Sequence, residues 1–170
     1  KSYFQAYEFF IDSPYTDKLF YTLLGIARTL SSSNDYLELA ENLLEKLNSN
    51  RFFVLYLNAQ AAILSDVEQR NKIMLKSLDY FDEYYALKKQ ISIYSGIALN
   101  YQLLDKIDSS YYYLSAAREI INDHHLSPER NFHFYLIEAY IEAKNQNYDM
   151  ALETLDILFH HASNEPGILS

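Results

Sequence analysis

The chain has 170 residues with a formal net charge of -9, no Cys, no Trp, three Gly and three Pro, and 17 Tyr beside 10 Phe. Lacking Cys, it has neither a disulfide framework nor a thiolate zinc site; with Lys and Arg scattered over an acidic chain, it lacks the basic stripe that neutralises phosphates, which excludes nucleic acid as a partner of this segment. No run reaches the roughly 18 apolar residues of a membrane span, Gly and Pro are too few for the tight turns of an all-β chain, and Leu, Ala, Glu, Lys and Tyr fill long uninterrupted segments, so the chain reads as all-α.

The opening residues "KSYFQAYEFF" carry neither the long apolar region nor the small-residue cleavage site of a secretory signal, and no initiator Met precedes them, so a piece of a longer chain is expected. Apolar residues recurring at three- and four-residue spacing, divided by polar caps, predict helices near 3–12, 16–31, 34–48, 51–65, 68–84, 87–104, 107–124, 128–145 and 147–162, about nine in all. Pro14 in "IDSPY" stops the first helix, Asn34 or Asp35 caps the third, Asp108 can cap the seventh, and Ser127 stands at N-cap with Pro128 at N1 in "LSPER". Starts near 16, 51, 87 and 128 for one set of helices and near 34, 68, 107 and 147 for the other recur every 34 to 41 residues, which is the signature of a helix-pair repeat. A helical bundle with accidental spacing is the alternative.

The clearest unit is "IYSGIALNYQLLDKIDSSYYYLSAAREI", where Tyr94 is followed by Ile97 and Ala98, then Tyr101, then Ser110, Leu114 and Ala117. Small Ala98 and Ser110 let two helices approach closely, and Tyr94, Tyr101 and Leu114 fill the volume around that contact. This spacing resembles the tetratricopeptide repeat. The first pair supplies Tyr21, Leu24 and Gly25, with Arg28 in place of an apolar residue, then Ala40, Leu44 and Leu47; the last supplies Tyr148, Ala151, Leu155 and Leu158. Its first helix, "FHFYLIEAYIEAK", fits two registers, one of which puts Glu142 at an apolar position, and the second pair has the helical period without the motif. Tyr3 and Ala6 stand as Leu114 and Ala117 do, so the chain starts inside the second helix of a pair.

The resemblance implies one right-handed superhelical array of antiparallel helix pairs over residues 1–170, with pairs near 16–48, 51–84, 87–124 and 128–162 after a half repeat at 3–12. It further implies a concave groove for a protein or peptide, lined by Thr22, Ile26 and Thr29 in the first unit, Ser92, Ser95, Leu99 and Gln102 in the third, and Leu136 and Tyr140 in the fourth. The family's clamp for a C-terminal carboxylate needs Lys and Asn where Ser95 and Leu99 stand, so that specificity is not expected. The stretch "DSSYYYLSAAREI" looks like arrays of bacterial regulators, some outside the cytoplasmic membrane, which implies a sensor or scaffold role. Self-association through end helices is the competing role, since a cut array exposes apolar faces and "NEPGILS" resumes apolar character at the chain's end.

Other chemistry is weakly represented. The aromatic residues suit peptide contact, yet the spacing of Tyr94, Tyr101 and Tyr148 assigns these three to the core. His124 with His125 and His160 with His161 fall near helix ends, where the dipole favours cations, and adjacent helical residues diverge by about 100°, so no metal is expected. Neither a phosphate loop nor a nucleophile elbow occurs, "YSGIA" lacking the preceding Gly, and neither enzymatic activity nor a cofactor is expected.

Overall fold

In the computed structural model, residues 2–30, 34–81 and 87–162 are described, without the side chains of Ser2, His161 and Ala162. Apolar residues at helical spacing fold here as α1 (Ser2–Phe10), α2 (Thr16–Thr29), α3 (Asn34–Leu47), α4 (Asn50–Ala62), α5 (Val67–Leu78), α6 (Leu87–Leu103), α7 (Ile107–Asp123), α8 (Phe132–Lys144) and α9 (Tyr148–Ala162), with a 3-10 turn at Pro128–Asn131. There is no strand among the described residues, so the architecture is all-α and helical-repeat-like. The expected helix 68–84 ends at Leu78, and the expected helix 128–145 divides into the 3-10 turn, started by Pro128, and α8. Lys106, not Asp108, is the N-cap of α7; Asp108 lies in its first turn, where its charge meets the helix dipole. At α5, Asp66 caps by accepting from the Gln69 N–H at 2.8 Å. Residues 31–33, 82–86 and the apolar "NEPGILS" stretch lie outside the described residues.

The chain divides into two compact units, 1–84 and 85–170, at the boundary expected between the second and third helix pairs. In the first unit α2 packs on α1, α3 and α4, and α4 on α5. Its core joins Phe20, Leu23, Leu24 and Ala27 of α2 to Leu37, Ala40 and Leu44 of α3 and to Tyr56, Leu57 and Ala59 of α4. Tyr56 donates to Glu41 Oε2 at 2.9 Å, and burial first, then that carboxylate, raises its phenol above the ordinary value. Tyr3 of α1 lies over Gly25, where a Cβ would overlap its ring, so this helical glycine is the seat of α1. Arg28, which interrupts the apolar pattern, is exposed.

The second unit pairs α6 with α7 and α8 with α9, and lays α8 against α6. Ala98 and Ser110 are both fully buried, and Ser110 Oγ donates to the Ala98 carbonyl at 2.9 Å. A side chain reaching the backbone of a neighbouring helix requires close approach, which these two small residues allow. Around them Leu114, Ala117 and Ile121 meet Ile91 of α6 and Phe134, Tyr135 and Ile141 of α8. Tyr113 stacks on Tyr94 and Tyr101 with ring centroids 6.2 and 5.5 Å away. Between α7 and α8 long side chains make the contact: Arg118 pairs with Glu138, its guanidinium lying 4.8 and 4.9 Å from the Phe134 and Tyr135 ring centroids.

Three helices of this unit end alike, without glycine. Asp105, His125 and Gln146 have φ of 55°, 48° and 65°. The next residue in each case donates five residues back: Lys106 to Tyr101, Leu126 to Ile121 and Asn147 to Glu142, each at 2.9 Å. This is the Schellman closure, normally built on Gly because a Cβ is strained at such φ. The turns after α6 and α8 stand 41 residues apart and α7 and α9 start at the same offset, so the chain enters both helices through the same turn geometry.

Two outcomes follow from this geometry. Replacing Gln146, which is exposed, with Gly should raise stability in urea denaturation by about 0.5–1 kcal/mol, the relief of the left-handed strain exceeding the added chain entropy. Ala98→Leu should overpack the contact between α6 and α7 and lower stability by about 1–3 kcal/mol, with Ser110→Ala costing about 1 kcal/mol; wild-type stability in the Ala98→Leu variant would contradict the packing described.

Candidate functional site

α6 is buried on more than one side, and its row Ile91, Ser95, Ala98 and Gln102 is inward. One step around the helix, Leu99 is half-buried and Leu103 is exposed. In α8 the inner row is Tyr135, Glu138, Ala139 and Glu142, with Leu136 and Tyr140 exposed beside it. The register of α8 is therefore the one that puts Glu142 inside. That carboxylate is 4% exposed and accepts from Tyr111 at 2.9 Å and from Asn147 Nδ2 at 2.8 Å, so its burial is compensated.

Leu99, Leu103, Leu136, Ile137, Tyr140 and His133 line an open apolar depression of about 410 Å³ between α6 and α8. Sharing Leu103 and Tyr140 with it, a second hollow of about 290 Å³ adds Gln102, Asp105, Ile107, Lys144 and Asn145. The result is an apolar strip with an amide and charged end, the composition that recognition surfaces use for anchoring and orientation. Gln102 and Asn145 form a reciprocal amide pair at 3.3 and 3.1 Å, and Asn145 also donates to the Tyr111 hydroxyl at 3.3 Å. The polar end is thus held by hydrogen bonds spanning α6, α7 and the turn after α8. Lys144 lies over the Tyr140 ring at 5.8 Å.

Leu99, Leu136 and Tyr140 thus share one surface, with Gln102 at its edge. Four expected groove residues need correction as accessible positions: Thr22 is 6%, Ile26 0%, Ser95 0% and Gln102 9% exposed. Ser95 and Gln102 belong to the inward row of α6, and Thr22 and Ile26 to a second buried side of α2. The Thr22 and Ser95 hydroxyls donate within their own helices, to Lys18 O at 2.8 Å and Ile91 O at 2.6 Å, which occupies those donors. Ser92 is exposed outside the depression. Thr29 lines a separate hollow of about 340 Å³ in the first unit, beside Tyr3, Tyr21, Arg28 and Leu55. Tyr148, expected in the core, is 62% exposed, because the buried row of α9 begins at Ala151. Leu103, Ile137 and Ile107 escaped the repeat register; the apolar i, i+4 pair Leu99 and Leu103 was the available signal.

Among the described residues no group of His, Asp and Glu is placed to hold a metal. His124 caps α7 and His125 takes the left-handed conformation after it. No described helix is long and apolar enough to cross a membrane. Comparison with known proteins found no matching family model, no matching curated protein and no matching solved structure.

Burial first, then the hydrogen bond to Glu142, raises the Tyr111 phenol above its ordinary 10.0. The stability carried by the protonated phenol is present below pH 10.0 and is lost as pH rises past it toward the folded-state value. Tyr111→Phe should cost about 1 kcal/mol at neutral pH and flatten the alkaline decline, as read by urea midpoints from pH 7 to 11; an unchanged alkaline slope would show that this phenol stays unpaired in solution.

Proposed function

We propose that the chain is a tetratricopeptide-like, right-handed array of antiparallel helix pairs, and a binding module rather than a catalyst. In this reading the strip between α6 and α8 takes a protein or peptide segment. The observation that carries it is the exposure of Leu103, Leu136 and Tyr140, 46%, 40% and 38%, side by side around one depression. Large apolar side chains grouped at a concave surface mark an interaction site more than scattered ones do. The repeat of one turn geometry after 41 residues and the packing of Ala98 on Ser110 support the family assignment. The likeness of "DSSYYYLSAAREI" to arrays of bacterial regulators makes sensing or scaffolding the biological context of this reading.

Recognition rests on apolar anchors with a few hydrogen bonds at the polar end of the strip, so salt affects it weakly. A displayed random-peptide library selected on the chain should yield binders whose affinity falls at least tenfold on Leu136→Glu or Leu99→Glu, with the circular dichroism unchanged. Binders indifferent to both substitutions would reject this strip as the site.

A further inference from the structure

Arg28 stands at the step of α2 where α6, counted from the matching residues Tyr94 and Ala98, carries Tyr101. Tyr101 stacks on Tyr113, whereas Arg28 is exposed and has neither a hydrogen bond nor an ion pair among the described residues. Its side chain instead lines the hollow of about 340 Å³ on α2, whose walls include Tyr3 of α1 and Leu55 of α4. Two phenols line it as well. Tyr21 Oη accepts from Arg51 Nη2 at 2.7 Å, so its own hydrogen remains to donate, and the Tyr3 hydroxyl has no protein partner among the described residues. The Thr29 hydroxyl is occupied, donating to Ile26 O at 2.9 Å.

These groups donate, and the helices that carry them bring little to receive. α4 contains no Asp or Glu, the carboxylate of α2 is Asp17 in the first turn, at the opposite end of the helix from Arg28, and Glu8 of α1 lies on another face from Tyr3. A cation in the last turn of α2 also suits the helix dipole, but that alone leaves the guanidinium and both phenols with water as their acceptor. Leu24, Leu55 and the tyrosine rings supply an apolar wall beside them. We propose that this hollow binds a small organic anion, its carboxylate or phosphate oxygens held by Arg28 and the Tyr3 and Tyr21 hydroxyls, and its apolar body against Leu24 and Leu55. A guanidinium offers a planar fork of donors that matches either oxyanion. Arg51 acts through Tyr21, orienting the phenol and adding a second positive charge. The volume is at the lower end of the range for ligand pockets, roughly 300–1,000 Å³, which suits an aromatic or short aliphatic acid. The site is independent of the strip between α6 and α8 and belongs to the other compact unit.

The test titrates the full, isotope-labelled chain with four probes that share a ring: phenylacetate, phenyl phosphate, phenethylamine and benzyl alcohol. Both anions should shift the backbone amide resonances of Gly25, Arg28 and Thr29 saturably while the amine and the alcohol do not, and the tighter of the two anions identifies the oxyanion preferred. The formal charge of -9 repels anions in general, so a preference for them must come from the site itself. Arg28→Gln should weaken anion binding about tenfold or more, as loss of a charged hydrogen bond does. Tyr21→Phe should weaken it less, and Leu136→Glu should leave it unchanged. Arg28 and Tyr21 are exposed, so circular dichroism of both variants should be that of the wild type. Shifts as large with the amine as with the anions, no saturable shift at those three residues, or wild-type affinity in Arg28→Gln would overturn the proposal; so would anion-induced shifts centred on α6 and α8, which would place the ligand in the strip.

Discussion

The second unit depends on one close approach, that of the Ala98 backbone to the Ser110 side chain. A hydroxyl that reaches a carbonyl of the neighbouring helix sets the separation of α6 and α7 more narrowly than apolar packing alone, since a buried donor left unpaired costs about 1–3 kcal/mol. Once α6 and α7 are fixed, the space for α8 is bounded by Ile91 and Ala98 on one side and Leu114 on the other. The aromatic residues Phe134 and Tyr135 fill it, and the apolar strip on the outer side of α6 and α8 follows from that placement.

Much of this was readable beforehand because it rests on periodicity. Helix positions and the small residues at 98, 110 and 117 follow from three- and four-residue spacing; that Leu99, Leu136 and Tyr140 share a surface was implied only by the repeat resemblance, and the structure places the three around one depression. The turns were less readable, because the closures after α6, α7 and α8 use Asp105, His125 and Gln146 where a glycine would have announced the left-handed conformation. The burial of Thr22 on the second side of α2 and of Ser95 in the inward row of α6 was also hidden: both look like surface residues until their hydroxyls are seen to bond within the helix. Tyr148 misled in the opposite sense, for the motif names a large residue at that step but cannot say that the buried row starts three residues later.

The polar interior of the second unit follows a different logic from its apolar core. Glu138 and Glu142 are buried, and each is met by a donor from α7. Burial disfavours the charge on Arg118, so the carboxylate opposite it is the condition of its presence there. Such pairs add little net stability but penalise wrong registers, because sliding α8 by one residue would leave two carboxylates without partners. In the first unit the buried partner is the phenol instead: Tyr56 donates to Glu41, whose carboxylate is exposed.

The stack of Tyr94, Tyr113 and Tyr101 has an optical consequence. With no Trp in the chain, near-ultraviolet absorption belongs to tyrosine and phenylalanine alone. Three phenols stacked face to face at 5.5 and 6.2 Å in a chiral frame couple their transitions, whereas separate rings contribute independently. That coupling belongs wholly to the second unit and vanishes when α6 separates from α7, even if both stay helical. Near-ultraviolet circular dichroism thereby distinguishes loss of packing from loss of helix without any label attached to the protein.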